Sequence, residues 1–252
     1  MKNRILFISS LVLAILASAC AEKAGPNQLT KKEKADGWEL LFDGSTMDLW
    51  RGYCMSDVPG AWEVEEGTIH INGSGRGEAG ASDGGDIITR KEYQNFELAL
   101  EWKVSEGGNS GIFYLARERC GNDSIPMEPI YKSSPEMQVL DNDRHPDAKL
   151  GKDGNRQAGS LYDLIPAVPQ NAKPAGEWNK VLITVYKGTV IHNMNGENVL
   201  EYHLWTDDWK AMCADSKFAD WDDFVNTASK GYIGLQDHGD DVWFRNIKIR
   251  EL

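Results

Sequence analysis

Phe96-Glu97-Leu98-Ala99-Leu100-Glu101-Trp102-Lys103-Val104 alternates apolar and polar residues with period two. That is the signature of a half-buried β-strand, because successive side chains leave a strand on opposite faces. The pattern recurs downstream. After the turn Gly107-Gly108-Asn109-Ser110-Gly111, Ile112-Phe113-Tyr114-Leu115 reads as a second strand and Glu136-Met137-Gln138-Val139-Leu140 as a third. Residues 181–186, 189–193, 232–236 and 242–249 follow as further strands. Asn195-Gly196 is a hairpin turn between Val190-Ile191-His192 and Val199-Leu200-Glu201-Tyr202, and Lys187-Gly188 approaches another. Helical patterning is weak. It is best in residues 206–226, rich in Asp and Trp, where one or two short helices are expected in an inserted loop. Many short strands with Gly- and Asn-rich turns predict an all-β fold, a two-sheet antiparallel β-sandwich or barrel with a short helical insertion and with Met137, Val139, Leu235 and Phe113 inside it.

Composition narrows the function classes. The chain has 252 residues, a net charge of −12 and nine Trp, with 41% hydrophobic and 26% charged residues. Such a mixture is neither low-complexity nor disordered. An acidic chain is a poor nucleic-acid binder, since phosphate contacts need cationic surface. No interior linker divides residues 36–252, which read as one domain.

The apolar run at residues 5–19 is short for a membrane span. Lys2 and Arg4 precede it, and Ala17-Ser18-Ala19 leads into Cys20. This is a secretion signal over residues 1–19, with a small-residue triplet before Cys like that of a bacterial lipoprotein. Cys20 is the expected lipidation site, residues 20–35 a polar tether, and the bacterial cell envelope the expected location, with the membrane reached only through the lipid. Cys54, Cys120 and Cys213 remain, so at most one disulfide forms and one thiol stays free. No spacing of Cys and His suggests structural zinc.

Two segments carry titratable groups. Period two separates Glu136 and Gln138 from the core-type residues Met137 and Val139, and Asp141, Asn142 and His145 follow at the strand end. Gln236-Asp237-His238 precedes Gly239-Asp240-Asp241, and alternation puts Gln236 with His238 on the face away from Leu235. A His among acids titrates near neutral pH and suits a general base. His192, before the turn at Asn195-Gly196, is a further groove candidate. Aromatic residues, among them Tyr114, Tyr162 and Trp221, offer faces on which sugar rings stack. Absent are the G-x-S-x-G elbow, the P-loop and the dinucleotide fingerprint.

Several segments together resemble a known family. They are Gly37-Trp38-Glu39-Leu40-Leu41-Phe42-Asp43-Gly44 with Trp50, Trp62-Glu63-Val64-Glu65-Glu66-Gly67, Asp86-Ile87-Ile88-Thr89-Arg90, Gly108-Asn109-Ser110-Gly111, Glu136 through Asp141, Ala158-Gly159-Ser160-Leu161-Tyr162-Asp163, Gly234 through Gly239 and Phe244-Arg245-Asn246-Ile247. They resemble the 3-keto-disaccharide hydrolase domain, over roughly residues 36–252. The resemblance implies a concanavalin A-like sandwich that acts on glycosides already oxidised at C3, by C2 deprotonation, elimination and hydration. It implies His145 or His238 as base, with Glu136 and Asp141 completing the catalytic set. Gln138, Gln236, Arg90, Asn109, Tyr114, Tyr162 and His192 are then the expected substrate contacts, with Arg90, Gln138 or a metal holding the enolate. A divalent metal, calcium or another, is the candidate cofactor. The alternatives are a lectin-like binding module and a two-carboxylate glycoside hydrolase. For the latter, Glu136-x-Gln138-x-x-Asp141 departs from the expected Glu-x-Asp-x-x-Glu.

Overall fold

A computed structural model describes residues 24–73 and 80–252. Cys20, its leader and part of the Gly-rich loop around residue 75 lie outside the described residues. None of the described helices is long and apolar enough to cross a membrane.

Two antiparallel sheets pack face to face. The larger takes β1 (Glu39–Leu40), β3 (Trp62–Glu65), β4 (Thr68–Ile71), β6 (Phe96–Val104), β9 (Asn179–Tyr186), β10 (Thr189–Met194), β11 (Glu197–His203) and β13 (Val242–Glu251). Its order is β11-β10-β9-β6-β13-β4-β3, with β1 paired to β13. The smaller has the order β2-β5-β12-β7-β8, where β2 is Trp50–Gly52, β5 Ile87–Thr89, β7 Asn109–Ala116, β8 Glu136–Leu140 and β12 Tyr232–Leu235. The expected hairpins at Lys187-Gly188 and Asn195-Gly196 join β9 to β10 and β10 to β11.

Alternation decides which face each strand buries. In β6, Phe96, Leu98, Leu100, Trp102 and Val104 enter the core. Outside, Glu97 stands opposite Arg250 and Glu101 opposite Arg245, and both pairs bond across the strands. From the smaller sheet, Met137, Val139 and Leu235 meet this core as expected, and Ile112 joins them. Phe113 corrects the reading. It is buried, but on the other face of its sheet, in a separate cluster with Tyr53, Ile88, Ala116 and Ile130. Its neighbours Ile112 and Tyr114 take the core side, so period two sends Phe113 away from them.

The tether also needs correction at its C-terminal end. Asn27 is buried and exchanges hydrogen bonds with Asn246. Thr30 and Glu33 form a capping box on α1 (Lys31–Ala35), and Lys248 pairs with Glu33. Cap and ion pair hold this segment on the larger sheet.

The insertion folds as two short helices, α2 (Asp207–Ala214), capped by Thr206, and α3 (Asp222–Val225). Trp209 anchors it. The ring is buried, stacks on Tyr202 and Phe224, and donates its indole N–H to Val225 O at 2.8 Å. Asp223 pins α3 to the end of β7 through Arg117 (2.8 Å) and Arg119 (2.6 Å). Among the described residues Cys54 and Cys120 form the one disulfide, and Cys213, on the buried side of α2, is free.

Candidate active site

A cavity of about 660 Å³ opens on the outer face of the smaller sheet. Its floor comes from adjacent strands. Glu136 and Gln138 project from β8, Asn109 begins β7, and Gln236, Asp237 and His238 follow the end of β12. Strands lie about 4.8 Å apart, so residues of β8 and β12, on either side of β7, reach one ligand. Gly111 makes the floor deep. A Cβ there would lie 2.0 Å from Glu136 Oε1, so only glycine lets the carboxyl lie across β7. Gly111 belongs to the Gly-Asn-Ser-Gly turn-and-strand segment legible in the sequence.

Glu136 and Gln138 do share the cavity face, as alternation predicts. Burial pushes the Glu136 carboxyl up to about 8, with nearby Lys217 pulling the other way. Oriented to satisfy both of its ends, the Gln138 amide donates to Ser110 O (3.0 Å) and Glu136 Oε1 (3.2 Å). Gln236 and His238 reach the cavity by a different route from that expected. β12 stops at Leu235, and the loop beyond it turns Asp237 toward the cavity as well. The Asp237 carboxylate accepts from the backbone N–H of Ala81 (3.0 Å), Gly85 (2.7 Å) and Gly239 (2.9 Å). It thereby fixes the loop that closes one side.

His145, expected on the cavity face, does not itself line the cavity; it meets His238 edge to face with ring centroids 6.1 Å apart, although 93 positions separate them in the chain. His145 caps the short 3-10 turn Pro146–Lys149, accepting the Asp147 N–H on Nδ1 at 3.2 Å. Burial lowers its pKa, and His238 lowers it further. His238 Nδ1 is buried with no partner among the described residues. Asp240 stands beside both rings and accepts the Asn109 N–H at 3.1 Å.

Ligand atoms of His145, His238 and Asp240 lie within 4.8 Å of one another. This set does not match calcium, which takes six to eight oxygens. Nor is it ready for a transition ion. With Nδ1 accepting a backbone N–H, neutral His145 carries its proton on Nε2, and binding an ion would require that bond to break. As folded, the three residues suit proton exchange.

Four expected site residues lie elsewhere. Tyr114 and His192 are sealed in the core. Tyr114 Oη bonds His192 Nε2 and Tyr202 Oη, both at 2.8 Å, and His192 Nδ1 bonds Gly159 O at 2.9 Å. They tie the two sheets together, and burial drives the His192 pKa down to about 4. Arg90 is exposed and outside the cavity, where its guanidinium donates to Asp48 O and Ser56 O. Asp141 is buried, but its carboxylate is spent on the N–H groups of Gly107 (2.7 Å) and Asp143 (3.1 Å), a loop-closing role. Tyr162 does line the cavity, donating its hydroxyl to Asp147 at 2.9 Å.

The sequence reading missed Asp86, Lys217, Phe218 and Tyr131, all cavity-lining. Burial raises Asp86 to about 7, where it accepts the Asp237 N–H at 2.9 Å. Its signals were its place immediately before the apolar strand Ile87-Ile88 and within a segment that carries the family resemblance. Lys217 lies 4.2 Å over the Tyr162 ring, with Asp163 as its ion-pair partner at 3.2 Å. Lys217 and Phe218 sit in an insertion whose packing no periodicity reveals.

Residues 37–250 match the family model described as a 3-keto-alpha-glucoside-1,2-lyase-like domain. The chain belongs to that family. It is 56% identical, over 95% of its own length and 87% of the relative's, to a protein of Bacteroides thetaiotaomicron named 3-keto-disaccharide hydrolase. Among solved structures it resembles a putative glycosyl hydrolase from Parabacteroides distasonis, at 32% identity and a TM-score of 0.77, over 90% of this chain and 100% of that one. A second putative glycosyl hydrolase from the same organism aligns at 28% identity and a TM-score of 0.62, over 85% and 99%.

Proposed function

We propose that the protein breaks the C1–O bond of glycosides whose sugar carries a ketone at C3, by elimination and rehydration. The chain is a hydrolase of glycosidic bonds, by its family and its 56% identical relative. The substrate and the steps are our reading of the site. One observation carries it. At the polar end of a single cavity, an imidazole, His238, converges with a buried carboxyl, Glu136, that keeps its proton near neutral pH.

A ketone at C3 acidifies the hydrogen on C2. His238 takes that proton, and the C–H electron pair becomes the C2=C3 bond of an enolate. The Asn109 amide, at the same polar end, donates to the oxygen that gains charge, and Gln138, donating to Ser110 O and Glu136 Oε1, holds the acid in place. The carbonyl re-forms, C1=C2 forms, and the C1–O bond breaks, the leaving oxygen taking the Glu136 proton. Water then adds at C1 and returns a proton to Glu136, while His238 returns its own to C2. One water is consumed, and no oxidant or reductant is needed. His145, with its proton on Nε2, and Asp240 hold the charge that passes through His238.

A two-carboxylate mechanism needs one ionised carboxylate beside an acid. Asp141 is engaged by the backbone, and Asp86 and Glu136 are both raised by burial. Our reading also includes a lipid anchor at Cys20 and an envelope location. The Cys54–Cys120 disulfide supports the location, because such bonds persist in oxidising compartments. A Cys20→Ala variant is expected to leave the membrane fraction, and its retention there would overturn the anchor.

The test of the activity compares a 3-keto-glucoside with its unoxidised parent, with and without chelator. Release of the leaving group from the keto form alone is expected, insensitive to chelator. Equal release from both substrates overturns the reading.

A further inference from the structure

The cavity has two unlike halves. Glu136, Gln138, Asn109 and His238 make one polar. The other is a wall of rings, Phe218 and Trp221 from the insertion and Tyr131 from the short turn Ile130–Lys132. Trp221 lies 5.5 Å from Tyr131 and 5.0 Å from Phe218, centroid to centroid. Tyr131 is 39% exposed, and Trp221 is only partly buried, with Lys132 Nζ 4.2 Å over its ring. Open aromatic surface costs solvation unless something covers it.

The wall is also held in place. Phe218 stacks on Phe224 at 4.2 Å, Phe224 stacks on Trp209, and Asp223 is clamped by Arg117 and Arg119. A rigid surface loses little entropy when a ligand settles on it.

We propose that Trp221 and Tyr131 form a second subsite, which holds the leaving group, and that this group is a ring presenting an apolar face. The inference rests on the proposed elimination, and it follows from where the reaction must occur. The oxidised ring needs its C2 and C3 against a base and an amide donor, so it occupies the polar half. What projects from C1 then extends into the remaining volume, and a cavity of about 660 Å³ exceeds the needs of one sugar ring. The ring that stacks there is a second sugar or an aryl group. Both offer a flat apolar face to indole and phenol rings.

The experiment compares wild type, Trp221→Ala, Trp221→Phe and Tyr131→Ala on 3-keto-glucosides with methyl, phenyl and glucosyl leaving groups. Comparing variants within each substrate cancels differences in leaving-group chemistry. Trp221→Ala is expected to lower kcat/KM about tenfold for a ring substrate, mainly through KM, the loss of one stacking contact. The methyl substrate should change by less than about twofold, and Trp221→Phe should recover most of the loss. Tyr131→Ala is a second probe, remote from the anchor Trp209. Loss with phenyl alone identifies an aryl site, and loss with glucosyl identifies a sugar site. Equal losses on all three substrates, or none, overturn the proposal. Calorimetric binding of the unoxidised phenyl glucoside and disaccharide tests the subsite without turnover. If no 3-keto substrate is cleaved, the elimination reading fails, and these binding arms still decide whether Trp221 holds a ring.

Discussion

Two histidine clusters lie on opposite sides of the smaller sheet. On the core side, His192 has both ring nitrogens paired, to Tyr114 and to Gly159, and is completely buried. On the cavity side, His238 has an Nδ1 with no partner among the described residues and sits beside His145, Asp240 and the open space over Glu136. Both are polar clusters bridging distant strands. A buried polar group with every valence satisfied stabilises the fold, and its loss is felt as stability. A ring in a cavity wall, not tied on both nitrogens, is free to change its bonding when a ligand arrives.

Breaking the cavity-side cluster should give the largest effect. His238→Ala is expected to reduce turnover of a 3-keto substrate by roughly 10²- to 10⁴-fold, the usual worth of an acid–base group. Its Tm should change little. Steady-state kinetics with a thermal melt checks both. Full activity would place the base elsewhere.

Glu136→Gln sharpens the contrast, since it should cost turnover and improve stability. The Glu136 pKa is raised from 4.5 to about 8 by burial. Between those values the unfolded chain has released the proton and the folded chain has not, so stability falls as pH rises through that window. Gln carries no such penalty. The variant should therefore melt several degrees above wild type at pH 8, roughly 2–4 °C for each kcal/mol gained, and match it at pH 4. In wild type, turnover that needs the Glu136 proton should decline as pH rises past about 8.

Tyr114→Phe tests the core cluster. It leaves His192 Nε2 and Tyr202 Oη without their partner, a cost of about 1–3 kcal/mol. Denaturant unfolding should show the loss, while kcat/KM of the folded protein stays near wild type. A large fall in kcat/KM with intact stability would erase the distinction between the clusters.

The smallest effect is expected at Arg90. It stands exposed on two backbone carbonyls, so Arg90→Ala should change stability by no more than about 0.5 kcal/mol and leave KM unmoved.

The core strands were legible because one physical rule writes them. Burial on one face imposes period two, as in Phe96 to Val104; in Glu136 to Leu140 all five residues are buried, and the alternation survives in Met137 and Val139 facing the core while Glu136 and Gln138 face the cavity. The same rule put Glu136 and Gln138 together and away from Met137. It could not say that Tyr114 faces a histidine in the opposite sheet, because alternation names a face and not what covers it. Arg90 and Asp141 failed for a related reason. Their chemistry suits a site, but nearby backbone groups engage them first.

The sequence by itself determined the two-sheet class, the main hairpins, the helical insertion and the segments bearing Glu136, Gln138, His145 and His238. These depend on local periodicity, turn chemistry and residue type, all of which act within a few positions along the chain. Only the tertiary structure decided which groups share the cavity. It brought His145 beside His238, laid the Glu136 carboxyl over Gly111, sealed His192 in the core and set Trp221 opposite the polar floor. Each of these joins residues far apart in sequence, and no local pattern encodes a contact that forms when sheets pair and an insertion folds back over them.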